Sequence, residues 1–200
     1  LIFGGVGLGK THLANAIGIN VKQAFPDKTV LYITAEKFTQ QYVDSVKKNN
    51  RNDFIHFYQL IDVLIIDDVQ FFSGKSGTQD VFFHIFNHLH QNGKQVVLTS
   101  DKAPVDMQEI EQRLLSRFKW GLSAELQTPD YETRISIIKN KLSRDGVEME
   151  DDIIFYVAKH IKTNIRELEG AIISLMAQSS FNKKQITLDL AKVIVEKFVK

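Results

Sequence analysis

Residues near the start of the chain have the types and spacing needed to bind phosphate. Residues 4–11 read GGVGLGKT and fit the pattern G-x-x-x-x-G-K-[ST], in which backbone N–H groups converge on phosphate oxygens and glycines permit the tight loop. Lys10 would place a positive charge between the outer phosphates, and the Thr11 hydroxyl is positioned to bind Mg²⁺. An apolar strand precedes the loop and a helical pattern follows it, so a plain glycine-rich turn is the less favoured explanation.

Two aspartates follow an uninterrupted apolar run further along the chain. Residues 63–66 read VLII, as in a parallel strand covered on both faces, and Asp67 and Asp68 come next. Asp67 would emerge at the carboxyl end of the strand, where open α/β sheets bind ligands, and there it can hold Mg²⁺ through water. Asp68 either points the other way in the pleat or begins the turn, where it is placed to orient the attacking water. Alone, the pair could be solvated carboxylates ending a strand, but the upstream loop favours the magnesium interpretation.

Strands alternate with helices before residue 128. We predict strands at residues 1–3, 29–34, 63–66, 95–99 and 119–124. Between them, apolar residues recur at helical spacing after the loop up to Pro26, in two short helices between Glu36 and Leu60, over 82–89 and over 110–118. The alternation implies right-handed crossovers and a parallel sheet.

The pattern after residue 128 is entirely helical. Thr128, Pro129 and Asp130 form a helix start, Asn164 and Glu167 have capping-box spacing, and helical periodicity continues to residue 198. We therefore predict an α/β core at residues 1–128, with a parallel sheet flanked by helices, and a small all-helical domain at residues 129–200.

Composition limits the classes of function. The 200 residues carry a formal net charge of only +1, whereas a protein that binds DNA mainly by neutralising many phosphates usually has a marked basic excess. The chain has no cysteine, which excludes disulfides and thiolate metal sites and agrees with a reducing cytosol. No apolar run reaches membrane-spanning length, so we expect no membrane span and a cytoplasmic location.

Several segments together resemble the DnaA family of bacterial replication initiators, which are AAA+ ATPases. They are, in chain order, GGVGLGKTHLANA, VLIIDDVQFFSGK, LTSDKAP, RLLSRFKWGL and NIRELEGAI, and they extend over nearly the whole chain. The resemblance implies a P-loop AAA+ core followed by a helical lid. It also implies a piece of a longer protein, because family members have an upstream stretch that contributes to adenine and ribose binding and a C-terminal helix-turn-helix domain that reads duplex DNA.

The resemblance also assigns roles to individual residues. It implies that Asp101, in TSD, is the sensor-1 residue that reads the γ-phosphate. Arg117 matches the arginine finger, with Arg113 one helical turn earlier on the same face, and Arg166 matches the sensor-2 arginine of the lid. Asp68 and Arg117 are then the expected catalytic residues, and Thr11 and Asp67 the expected magnesium ligands. The expected nucleotide-binding residues are Gly5, Gly7, Gly9, Lys10, Thr11, His12, Asp101 and Arg166.

The function implied by the resemblance is an ATP-dependent switch that assembles on and opens the chromosomal origin. Its cofactors would be ATP or ADP with Mg²⁺. Its partners would be further copies of the chain in ATP-dependent filaments, single-stranded origin DNA touched by the helices between Glu36 and Leu60, and the replicative helicase machinery. Most AAA+ motors carry Glu where this chain has Asp68, and a displacement of about 1 Å can cost about a hundredfold in rate. We therefore expect slow hydrolysis.

Other functions compete with this interpretation. A DnaC-like helicase loader is also an AAA+ ATPase with GKTHL-like motifs, although the NIRELEG segment argues against it. A P-loop kinase for small molecules is a less favoured alternative, because Arg117 lies beyond the fourth strand and suits a neighbouring subunit better than a second substrate. A third alternative is a regulatory relative of the DnaA family that naturally lacks the duplex-reading domain.

Individual residues also have simpler explanations. The arginines could be ordinary surface ion-pair partners, and the helices between Glu36 and Leu60 could be plain crossover packing. His84 and His88 have zinc-helix spacing, but Ile85 replaces the glutamate that a zinc protease needs, so we reject a metal site there. We expect Trp120 to pack within the fifth strand rather than to stack on a base.

Overall fold

The structure, a computed structural model, describes residues 1–182 and 185–199. It divides into two compact units, one formed by Leu1–Gly5 and Gly9–Leu126, the other by Val6–Leu8 and the chain from Gln127 onward. The strands are β1 (Ile2–Phe3), β2 (Val30–Thr34), β3 (Val63–Asp67), β4 (Gln95–Ser100) and β5 (Ala124–Glu125). The α-helices of the first unit are α1 (Lys10–Ala24), α2 (Ala35–Lys47), α3 (Arg51–Gln59), α4 (Ser76–Gln91) and α5 (Gln112–Phe118). Those of the second are α6 (Tyr131–Asp145), α7 (Asp151–His160), α8 (Ile165–Asn182) and α9 (Leu188–Val195).

The strands form one parallel sheet in the order β2-β3-β4-β1-β5. The α/β core with helical crossovers and the helical C-terminal region are therefore confirmed. Because the strands are parallel, all their carboxyl ends lie at one edge. That edge carries the loop after β1, the aspartates that end β3, and the residues after β4.

Side chains of β3 alternate between two apolar layers because successive residues of a strand face opposite sides. Leu64 and Ile66 belong to the larger cluster, together with residues of α2 to α5, whereas Val63 and Ile65 pack with Ala14 of α1. The five residues of β3 are all buried, which explains the lack of polar alternation in its sequence.

An aromatic cluster connects α2 and α3 to the rest of this larger layer. The Phe38 ring is fully buried, and its centroid lies 4.9–5.7 Å from those of Phe54, Tyr58, Phe72 and Phe82 in edge-to-face geometry. Aromatic pairs in this geometry add about 0.5–1.5 kcal/mol each beyond their burial. The helices predicted between Glu36 and Leu60 are thus confirmed as elements, and they share the core of the sheet.

The fifth strand is shorter than predicted. The α5 helix unwinds through a turn at Lys119 and Trp120, and pairing with β1 begins only at Ala124, whose N–H donates to the Leu1 carbonyl at 2.8 Å. The assignment of residues 119–123 to a strand, with Trp120 inside it, was wrong. Trp120 is 53% exposed and its ring lies 3.8 Å from the His90 ring, centroid to centroid.

The second unit has its own apolar core. It is built from α6 to α9, with Ile138, Val157, Leu168 and Ala191 among its buried members. Asp130 caps the start of α6, where its carboxylate accepts the Thr133 N–H at 2.8 Å, as expected of the predicted helix start. Over residues 1–182 and 185–199, no helix combines the length and the apolar character that a membrane span requires.

Candidate nucleotide-binding site

The loop after β1 has a backbone that glycine makes possible. Gly9 has φ 92° at the N-cap of α1, in the left-handed region that favours glycine. At Gly4 a Cβ atom would lie 2.3 Å from the Leu126 carbonyl oxygen, so only glycine fits there. No side chain caps α1, and the N–H groups of its first turn, together with the helix dipole, suit a phosphate.

Lys10 is buried in this loop with its ammonium group fully satisfied. Its Nζ donates to the carbonyl oxygens of Gly4 at 2.9 Å and Gly5 at 2.7 Å, and lies 2.6 Å from Oδ1 of Asp101. An ammonium has three protons, which match these three acceptors. The structure therefore brings Asp101, predicted from TSD, beside the loop lysine.

Asp67 ends β3 and is surrounded by hydroxyl groups. Its Oδ2 accepts from Thr11 Oγ1 at 2.8 Å and from the Tyr32 hydroxyl at 2.6 Å, and its Oδ1 accepts from Thr99. Thr11 and Asp67, the two predicted magnesium ligands, thus lie together, and hydroxyl and carboxylate oxygens are donors that suit Mg²⁺. Burial raises the pKa of the Tyr32 hydroxyl, and the hydrogen bond to Asp67 raises it further.

Asp68 begins the turn after β3, which decides between the two orientations that the sequence left open. It has φ 61° and ψ 51°, a conformation that L-residues seldom adopt. Its N–H donates to Thr99 Oγ1 at 2.8 Å. Burial raises the pKa of the Asp68 carboxyl, a hydrogen bond from Gln70 lowers it, and the neighbouring Asp67 and Asp101 carboxylates raise it further.

Gln70 joins Asp68 to Asp101. Its Nε2 lies 3.2 Å from Asp68 Oδ1 and 3.1 Å from Asp101 Oδ2, and its Oε1 accepts the Asp101 N–H at 3.3 Å. Sequence reasoning missed Gln70, Tyr32 and Thr99. Their only local signal is that they lie near the carboxyl ends of strands, a signal shared by many residues that take no part in the site.

The two arginines of α5 share a face but differ in their partners. Arg113 donates to Glu111 at 2.6 Å and Asp80 at 2.9 Å, and its guanidinium lies 4.8 Å from the Phe83 centroid. Arg117 lies 5.8 Å from the same centroid, and within the described part of the chain it forms no ion pair. Neither contacts Lys10, Thr11 or Asp67. The charge of Arg113 is thus neutralised by two carboxylates, whereas that of Arg117 has no acidic partner among the described residues.

Arg166 lies in the second unit, exposed in the first turn of α8. Asn164 caps this helix by accepting the Glu167 N–H at 2.9 Å, but Glu167 accepts from the Asn164 side chain instead of its backbone. In the same unit the Ile165 N–H donates to the Gly7 carbonyl at 2.9 Å. Among residues 1–182 and 185–199 Arg166 has no ion-pair partner. His12 is exposed in the first turn of α1.

Comparison with known proteins gives consistent matches. Residues 1–125 match the family described as the bacterial DnaA ATPase domain. The chromosomal replication initiator protein DnaA of Flavobacterium psychrophilum is 82% identical over 200 residues, which are 100% of this chain and 42% of that protein. The DnaA of Bacteroides fragilis is 56% identical over 199 residues, which are 100% of this chain and 42% of that protein. The chain therefore spans about two fifths of the length of these curated relatives.

Solved structures agree with these matches. Domain III of DnaA from Thermotoga maritima is 45% identical with a TM-score of 0.95, covering 100% of this chain and 83% of that one. A replication initiator DnaA bound to AMPPCP and single-stranded DNA is 42% identical with a TM-score of 0.80, covering 88% of this chain and 54% of that one. A DnaC helicase loader is 15% identical with a TM-score of 0.56, covering 63% of this chain and 76% of that one. At this identity the match shows a shared fold alone.

Proposed function

Because this chain belongs to the bacterial DnaA ATPase-domain family, we propose that it binds ATP and hydrolyses it slowly, as the switch of a replication initiator. The observation that carries the proposal is the convergence of Lys10, Asp67, Asp68 and Asp101 at the carboxyl edge of the sheet. That arrangement combines a phosphate-binding cation, a metal-binding carboxylate and a carboxylate free to act on water.

The loop and its neighbours fit a magnesium nucleotide. Lys10 and the first-turn N–H groups of α1, including those of Thr11 and His12, would hold the phosphates, with Gly5, Gly7 and Gly9 allowing close approach. Thr11 and Asp67 would hold Mg²⁺, which when bound neutralises charge on the phosphate oxygens. Asp101 would sense the γ-phosphate, and Arg166 would distinguish ATP from ADP. The relatives bound to AMPPCP support a triphosphate as the ligand.

Asp68 is the residue that we expect to orient the attacking water. Its side chain is one methylene shorter than glutamate, so its carboxylate would lie farther from the attacking water, and a displacement of about 1 Å can slow a reaction about a hundredfold. Single-turnover measurement on the assembled full-length protein should show slow hydrolysis. Rates of many turnovers per second would contradict a switch.

The proposed partners follow from the relatives and from the surface of the first unit. Helices α2 and α3 and the residue that follows α3 expose the apolar side chains of Val43, Val46, Phe57 and Leu60. A relative of 42% identity was solved with single-stranded DNA. We propose that this face contributes to ATP-dependent filaments and to contact with origin DNA. We further propose that the full-length protein recruits the replicative helicase machinery and acts in the cytoplasm.

The test of nucleotide binding is Lys10→Ala in the full-length protein. The variant loses the one side-chain cation of the loop, and truncating one partner of a buried charge pair across a binding interface costs about 2–5 kcal/mol, or about thirtyfold or more in affinity. Calorimetry with Mg-ATP measures the loss. Lys22→Ala, in the last turn of the same helix, is the matched control and should bind like the parent. If Lys10→Ala binds Mg-ATP as tightly as the parent, the loop is not a phosphate site.

A further inference from the structure

The geometry points to Gln70 as a positioning residue that holds Asp68 and Asp101 in a fixed relation for hydrolysis. This inference rests on the proposed function, because it concerns how the residues assigned to water and γ-phosphate are kept in place. Gln70 is not expected to touch nucleotide. Its effect on the reaction would pass through the two carboxylates that it binds.

The hydrogen bonds of Gln70 determine how its amide is oriented. The amide nitrogen has two protons, and its two acceptors are Asp68 Oδ1 at 3.2 Å and Asp101 Oδ2 at 3.1 Å. The amide oxygen accepts the Asp101 N–H at 3.3 Å. Rotating the amide by half a turn would place its oxygen against two carboxylates and its nitrogen against a donor. Only one orientation therefore satisfies all three contacts.

Electrostatics explains why a neutral donor belongs at this position. Asp68 directly follows Asp67, and the Gln70 amide joins it to Asp101, so three carboxylates share this end of the sheet. Lys10 neutralises Asp101 from the loop side, at 2.6 Å. On the other side, the Gln70 amide gives each of Asp68 and Asp101 a donor without adding a charge. A leucine would supply no donor, and a glutamate would add a further negative charge.

Asp101 thereby connects the loop lysine to the residue that acts on water. One of its oxygens lies beside Lys10 and the other accepts from Gln70, which also donates to Asp68. Such a chain of charge-assisted contacts fixes each member through its neighbours. Without the Gln70 amide, the Asp68 carboxylate would lose a side-chain donor that fixes its orientation.

The experiment compares Gln70→Leu and the isosteric Gln70→Glu in the full-length protein. Hydrogen bonds to charged groups are the stronger class. From their usual contribution, we expect the single-turnover rate of assembled Gln70→Leu to fall by about tenfold. Gln70→Glu should fall further, towards about a hundredfold, because it adds a like charge. Mg-ADP affinity of Gln70→Leu should stay at the parental value, and its unfolding temperature should remain above the assay temperature, so that the rate is measured on folded protein. Gln95→Leu, at the amino end of β4, is the control, because its side-chain amide donates to the Val96 carbonyl and not to a carboxylate of the described residues.

Measuring Gln70→Leu in the Asp68→Asn variant distinguishes a positioning role of Gln70 from a general effect on the structure. Because Gln70 acts through Asp68 as well as Asp101, the proportional loss of rate caused by Gln70→Leu should be smaller in the Asp68→Asn variant than in the parent. Parental hydrolysis by both Gln70 variants, or an equal proportional loss in the Asp68→Asn background, would overturn the inference. Parental hydrolysis by Asp68→Asn alone would instead remove Asp68 from the proposed mechanism, so the two failures give different results.

Discussion

Replacing Arg117 by alanine should separate folding from assembly-dependent catalysis. Within the described residues Arg117 has no ion pair, and its one aromatic contact lies 5.8 Å from the Phe83 centroid. A cation–π contact at an exposed site contributes about 0.5–1 kcal/mol, so Arg117→Ala should fold with at most that loss. An arginine supplied in trans to a transferring phosphoryl group contributes about 10³–10⁵ in rate, which is about 4–7 kcal/mol at 1.36 kcal/mol per tenfold. The catalytic effect should therefore exceed the folding effect several times over.

The assay measures three properties of the full-length Arg117→Ala protein. Mg-ATP binding should be parental, because Arg117 contacts none of Lys10, Thr11 and Asp67. Sedimentation with ATP and origin DNA should show no filaments, and hydrolysis should no longer increase with protein concentration. Arg144→Ala, an exposed arginine of α6, is the control for the loss of a surface charge. A variant of Arg117 that assembles, hydrolyses ATP and opens the origin like the parent would refute the reasoning.

Two further predictions concern Arg166 of the second unit and the buried carboxylate of Asp67. A cation in the first helical turn is disfavoured by about 0.3–1 kcal/mol, so Arg166 should face an anion when nucleotide binds, and Arg166→Ala should reduce the ratio of ATP to ADP affinity. Calorimetry with both nucleotides measures this ratio, and an unchanged ratio counts against the role. Tyr32→Phe removes one hydroxyl donor from buried Asp67 and should lower the free energy of unfolding by about 1–3 kcal/mol. Urea titration of the variant and the parent tests this, and superimposable curves would contradict the importance of the bond.

Much of the site was predictable because its strongest signals are local. The phosphate loop needs glycines at fixed spacing before a lysine and a hydroxyl residue, and the structure places Gly4 and Gly9 in conformations that require them. A run of apolar residues that ends at Asp67 predicts the buried strand β3. Capping residues marked the starts of helices in the same way. Each of these features depends on residues within a few positions of one another.

Strand and helix boundaries were less predictable where a distant partner decides them. Residues 119–124 have an extended pattern, yet the fifth strand begins only where β1 offers backbone partners, at Ala124. Trp120 lies outside it, against a histidine that is thirty positions earlier in the chain. Backbone pairing, which the local pattern does not specify, sets where such a strand begins.

The sequence by itself determined the phosphate loop, the acidic end of β3 and the succession of strands and helices, because these depend on short-range backbone geometry and on apolar periodicity. Only the tertiary structure decided that Tyr32 and Thr99 bind Asp67 and that Gln70 joins Asp68 to Asp101. Apart from the contact between Gln70 and Asp68, these contacts connect residues 31 to 35 positions apart. They form because the parallel order β2-β3-β4 places three strand ends side by side. The residues adjacent in sequence to any one position do not determine strand order or register.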